Sequence, residues 1–231
     1  MRRRGVAHAE REPMVSVRSR RGSSPRDRAQ WRATYENTAY DQLPWFDPGP
    51  STGVRLAVES GFLTKGAAVL DVGCGAGSNL LYLAQHGFPC HGVDLSPGAV
   101  RAARARVAEA GLRVEVQEGD VLSLPFPESQ FDAVVDNGCF HTIPIRRRST
   151  YAREIQRVLR STGQFVLSWV AREHTGPMGP PHRPSLREVT TLLESRFLFV
   201  RTGFRPGQPE EGPATYFAFL ARRNASYPPR R

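Results

Sequence analysis

VLDVGCGAG, residues 69–77, is a short apolar run that ends in three alternating glycines. Such a run, bounded by a turn signal, reads as a buried strand. Gly73, Gly75 and Gly77 carry no Cβ, so the turn can take left-handed backbone and let another group come close. Residues 78–85 then have the composition of a helix, with Ser78 as the expected N-cap. Strand, tight turn and helix in that order begin an α/β unit.

The same period repeats outward. Strands are expected at 67–72, 90–94, 114–117, 131–136, 165–170, 197–202 and 216–220, seven in all. Helices are expected at 78–85, from Ser96 and Pro97 through Ala110 with Gly111 as the stop, at 146–160 and at 185–195. Alternation of this kind predicts a Rossmann-like α/β fold, a mostly parallel seven-stranded sheet with helices on both faces. Residues 29–62 precede the sheet and read as an N-terminal helical lid. The expected domain spans 29–221, flanked by a basic, disordered tail at 1–28 and a basic C-terminal tail at 222–231.

Charge supports that division. The chain of 231 residues carries a formal net charge of +10. Residues 1–28 hold nine Arg against Glu10, Glu12 and Asp27, and residues 222–231 add four Arg, so the tails account for all of it. The interval 29–221 is formally neutral, which argues against a nucleic-acid partner. No apolar run approaches the roughly 18 residues of a membrane span, and residues 1–30 lack the apolar core of a secretory signal. A cytoplasmic location and no membrane association are expected. Cys74, Cys90 and Cys139 are too few and scattered for a disulfide framework or a zinc cluster, so no metal is expected.

The chemistry concentrates at strand ends. In the dinucleotide fingerprint G-x-G-x-x-G/A the last small residue would fall on Ser78; the spacing here is G-x-G-x-G instead. Asp94 closes the second strand, where a nucleoside-binding α/β domain places an acceptor for ribose hydroxyls. VLDVGCGAG resembles motif I of class I methyltransferases. That resemblance covers about residues 60 to 221, including EGDVLSLPFPESQFD, FDAVVD, RVLRSTG and QFVLSW. One departure is Ser161-Thr162-Gly163, where the family often has Pro-Gly-Gly.

The resemblance implies S-adenosyl-L-methionine as cofactor. It would be held by Asp71, Gly73, Gly75, Gly77, Asp94 with Leu95, Asp120 toward the adenine amino group, and Val121 against the ring. Asp136, in DNGCFH, would stand closest to the transferred methyl group, with His141 as a candidate proton acceptor. Trp45 and Phe46 could form an aromatic wall, since a sulfonium is attracted to an aromatic face. Arg146, Arg147 and Arg148 read as a solvated face, with an anionic substrate as the alternative. His174, His182 and Arg183 lie on a Gly/Pro loop that could close over the acceptor. Cys139 lacks a base at a recognisable spacing, which argues against nucleophilic catalysis.

DNGCFH carries no DPPY-like or NPPY-like signature. With WRATYENTAYDQLPWFDPGPS and GPMGPPHRPS it looks like small-molecule methyltransferases of the thiopurine, thiol and tellurite-resistance type. The implied function is methyl transfer to a small molecule, a thiol or other soft nucleophile, by a monomer or weak homodimer. O- or N-methylation of a metabolite is the alternative. A nucleic-acid- or protein-binding module anchored by the tails is the reading from another class.

Overall fold

The computed structural model describes residues 22–173, 182–207 and 213–223. Seven strands form one sheet: β1 (Val69–Val72), β2 (Cys90–Asp94), β3 (Glu115–Glu118), β4 (Phe131–Asn137), β5 (Leu159–Val170), β6 (Phe197–Arg205) and β7 (Thr215–Arg222). Their spatial order is β3-β2-β1-β4-β5-β7-β6. The first five pair in parallel, and β7 runs antiparallel to both neighbours. Six α-helices among the described residues accompany the sheet: α1 (Pro25–Asn37), α2 (Thr52–Glu59), α3 (Ser78–Gln85), α4 (Pro97–Glu109), α5 (Arg148–Val158) and α6 (Leu186–Leu193).

Alternation along the strands builds two cores. Val69, Ala133, Val135 and Val166 face one way, packing with Val54, Ala57, Leu80, Leu83, Val100 and Ala103 of α2, α3 and α4. Leu70, Val72, Val134, Phe165 and Leu167 face the other, against Tyr151, Ile155, Val189 and Leu193 of α5 and α6. Helices therefore cover both faces, as the sequence period requires.

Several boundaries differ from expectation, among them β5, which begins at Leu159 where the helix was expected to continue through 160. Helix α1 starts at Pro25, inside the segment 1–28 read as a tail, because Ser24 and Asp27 close a capping box in front of it. The N-cap of α3 is Gly77, at φ 81°, and the hydroxyl of Ser78 instead donates to the Asp47 carbonyl at 2.5 Å. Residues 145–147 form a 3₁₀ turn after Pro144, so α5 opens at Arg148. The departure at Ser161-Thr162-Gly163 is absorbed as a bulge: Phe131 faces Leu159 but Ala133 faces Gln164. No helix among the described residues is long and apolar enough to cross a membrane.

Candidate functional site

The strand order reverses between β1 and β4, and in open α/β sheets ligands bind outside the strands' carboxyl ends at that point. The turn 73–77 leaves β1 there. Amides of Gly73 and Cys74 both donate to the Val93 carbonyl, at 2.8 and 3.1 Å, which ties the turn to β2. Gly73 has φ 66°, and a Cβ on it would lie 2.5 Å from the Cys139 Cβ. The glycine turn and the turn after β4 thus touch.

Asp94, at the end of β2, accepts the Gly75 amide at 3.0 Å and the Ser96 amide at 2.9 Å. Burial pushes its carboxyl above the usual carboxylate range, while the amides of Ser96, Gly75 and Leu95 pull it back down. Leu95 itself is half-buried beside it. Asp71, 1% exposed, has an Oδ2 with no hydrogen-bond partner. Burial, then the charges of Asp136 and Asp94, push it well above the usual range. An unpartnered buried carboxyl beside a turn without side chains fits a ligand bearing a cationic amine, and Asp94 fits a diol.

Asp120 is also buried, but its oxygens are occupied. Oδ1 accepts the Ser23 hydroxyl and the Leu122 amide, each at 2.9 Å; Oδ2 accepts the Ser23 amide and, at 2.8 Å, the Arg28 guanidinium. Val121, expected against a ring, packs into the core with Leu122 and Leu124. It follows Asp120 at an isolated bridge to Ser123, which turns the chain inward.

Trp45 is not the aromatic group nearest the glycine turn. It is 54% exposed, with its ring edge-on to Trp31 at 5.9 Å. The nearest is Tyr35, whose hydroxyl lies 3.1 Å from where a Gly75 Cβ would stand. Tyr35 reaches it because Gly98, on α4, gives α1 room: a Cβ there would come within 2.7 Å of the Tyr35 Cβ. Burial, and then the nearby charge of Asp94, raise the Tyr35 phenol. The helical spacing of Trp31 and Tyr35 was the available signal. Phe46 instead packs at 5.2 Å from the Arg106 guanidinium, which also donates to the Ala76 carbonyl at 2.7 Å and so ties the lid to the glycine turn.

The two residues expected to do chemistry are both buried, Asp136 near the end of β4 and His141 in the turn after it. Asp136 is fully buried and accepts the Cys139 amide at 2.9 Å, the Phe140 amide at 3.1 Å and the Tyr151 hydroxyl at 2.5 Å. Its carboxyl shapes the turn 138–142. Burial pushes it up to about 7 against the lowering effect of those donors. The folded state therefore holds this proton at pH values where the unfolded chain has lost it. Stability from this group is full below about pH 4 and is lost as pH rises toward 7. Asp71 and Asp94, also raised, act in the same direction. We expect the melting temperature of Asp136→Asn to vary less between pH 4.5 and 7.5 than that of wild type. A parallel profile would show that Asp136 does not titrate there.

His141 is 9% exposed, and its Nδ1 accepts the Val170 amide at 3.0 Å. The neutral ring therefore carries its proton on Nε2, which points along Gly138. Burial, then the Arg148 charge, lower its pKa to about 3. In place of the expected proton acceptor there is a neutral N–H donor. Arg148 was expected on a solvated face but is 5% exposed. Its Nε donates to the Ile143 carbonyl at 3.0 Å, its guanidinium lies 4.8 Å from the Phe140 ring, and one terminal nitrogen has no partner. Arg146 is exposed, and Arg147 donates to the Gly22 carbonyl. Cys139 is held as a thiol by burial and by Asp136. His182 and Arg183 are half-buried, and His174 lies outside the described residues.

Residues 69–163 match the family model described as a methyltransferase domain. Over 170 residues the chain is 28% identical to the 2-heptyl-1-hydroxyquinolin-4(1H)-one methyltransferase of Mycobacteroides abscessus, covering 70% of this chain and 74% of that one. Among solved structures it resembles Burkholderia thailandensis 1,6-didemethyltoxoflavin-N1-methyltransferase bound to its acceptor and S-adenosylhomocysteine. That likeness has a TM-score of 0.68 at 23% identity, over 87% of this chain and 92% of that one. It also resembles the protein of "Conversion of a Disulfide Bond into a Thioacetal Group during Echinomycin Biosynthesis", with a TM-score of 0.75 at 22% identity, over 87% and 94%. The sheet has the class I methyltransferase fold and the domain match spans the glycine turn; the chain is an S-adenosylmethionine-dependent methyltransferase.

Proposed function

We propose that this enzyme methylates a small-molecule acceptor that meets the site as an anion, either a thiolate or the ionised form of an acidic hydroxyl. The observation that carries this reading is the His141 tautomer. With Nδ1 committed to the Val170 amide, His141 can donate a hydrogen bond but has no free lone pair to take a proton. Asp136 is spent on internal bonds. Arg148, beside that turn with a partnerless buried nitrogen, adds a positive charge that favours a negative acceptor. The protein named for the echinomycin thioacetal works on sulfur, and the Mycobacteroides enzyme is named for a 1-hydroxyquinolinone.

S-adenosylmethionine, when bound, supplies an electrophilic methyl group on a good leaving group. Asp71 would face its amine and Asp94 its ribose, while the glycine turn leaves room for it. The protein's remaining task is to align the acceptor and exclude water, and alignment of this kind is worth roughly 7 to 11 kcal/mol. A thiol with pKa near 8.5 is partly ionised at neutral pH, whereas a phenol near 10 needs more help from a base.

The test uses labelled cofactor with 2-mercaptoethanol, 4-nitrophenol, phenol and benzylamine. Turnover should follow the ionised fraction of the acceptor. His141→Gln should lower kcat/KM by about 2- to 12-fold, the loss of one neutral hydrogen bond, by the same factor at every pH from 6 to 9. A ratio that changes with pH would give His141 a proton-transfer role. Methylation of the amine or of phenol at least ten times more efficient than that of the thiol and of 4-nitrophenol would sink the anionic reading.

A further inference from the structure

We infer that Ser23 and Arg28 latch the N-terminal segment onto Asp120 and compete there with the adenine of the cofactor. This rests on the reading that Asp120 accepts the adenine amino group. A carboxylate offers about four lone-pair positions. All four are taken, two by Ser23, one by Arg28 and one by the Leu122 amide. Leu122 is two residues along the same turn and makes a local bond, so the exchangeable donors are those of the N-terminal segment. The chain passes close as well: a Cβ on Gly22 would lie 2.9 Å from Oδ2, and Arg147 holds the Gly22 carbonyl from the other side. A nucleobase cannot reach the carboxylate until Ser23 and Arg28 leave it.

The segment is built to leave. No residue of helix α1 is fully buried; Trp31 and Tyr35 are half-buried, so lifting it exposes those two rings and no core side chain. Its capping box lies within the helix start, between Ser24 and Asp27, and persists when Asp120 is released. Arg28 is 48% exposed, and an ion pair with one partner in solvent is weak enough to exchange. Tyr35 sits on the same helix at the glycine turn, so lifting α1 would also clear Gly75. The latch would thus set how readily cofactor enters and S-adenosylhomocysteine leaves, without contributing to the methyl transfer itself.

The experiment is titration of the full-length chain with S-adenosylhomocysteine, read by calorimetry. Arg28→Ala should bind about two- to fivefold more tightly than wild type, the effect of removing one partly exposed ion pair, and Arg28→Lys should bind as wild type does. Raising salt should bring wild type toward Arg28→Ala, because screening weakens the latch. In Asp120→Ala, binding should weaken and Arg28→Ala should have no further effect. Equal or weaker binding by Arg28→Ala overturns the latch and makes the segment a support for the cofactor. Asp120→Ala binding as wild type removes the site competed for, and overturns it as well. Failure of every form to bind would instead remove the cofactor assignment on which the latch depends.

Discussion

Asp94→Ala is expected to bind S-adenosylhomocysteine about 10- to 150-fold more weakly than wild type. On the proposed reading its carboxylate accepts the ribose hydroxyls, and a hydrogen bond to a charged group is worth roughly 1.5 to 3 kcal/mol. Asp94 also orders the turn through the Gly75 and Ser96 amides. Asp94→Asn separates the two roles, since its amide oxygen can keep an amide donor while the charge is lost. We expect the asparagine variant to lie between wild type and alanine. The fold should tolerate both changes, because burial disfavours the ionised carboxyl in the folded state. Calorimetry with thermal melts checks this, and unchanged affinity in Asp94→Ala would exclude Asp94 from the cofactor site.

Features encoded within a few residues could be read directly from the chain. The strand ending at Val72, the glycine turn and the acid closing β2 each depend on local pattern, and all seven strands stand near their expected places. What stayed hidden depends on partners far along the chain. Arg28 and Asp120 are separated by 92 positions, so nothing around EGDVLSLP indicates that this acid is already bonded. The role of His141 is decided by the backbone amide of Val170, 29 residues away on β5, and no residue type signals that amide. Arg148 follows two other arginines in an unbroken basic run, yet the 3₁₀ turn after Pro144 rotates it inward, where Phe140 and the Ile143 carbonyl receive it. Seven residues before Ile155, it lies on the inward face of α5, where an unbroken basic run gives no sign of burial.

Gly73→Ala should be the most damaging small substitution near the site. A non-glycine residue at φ 66° costs about 1 to 2 kcal/mol. The new Cβ would also stand 2.5 Å from the Cys139 Cβ and 2.9 Å from its Sγ. A Cβ cannot rotate away as the end of a flexible side chain can, so backbone must shift, at a further cost of about 1 to 3 kcal/mol. For a chain of this size the sum lowers the melting temperature by roughly 5 to 15 °C. Because Cys139 donates its amide to Asp136 and begins the turn that carries His141, the shift would move the acceptor side away from the glycine turn. Turnover should therefore fall by more than cofactor affinity does. Cys139→Gly in the same chain removes the steric part but not the backbone part. The double variant should consequently melt higher than the two single changes add up to, by up to the steric share, although Cys139→Gly alone is itself destabilising. Strict additivity of the two single changes would mean that residues 73 and 139 do not meet, and the coupling of the two turns drawn from that contact would fall with it.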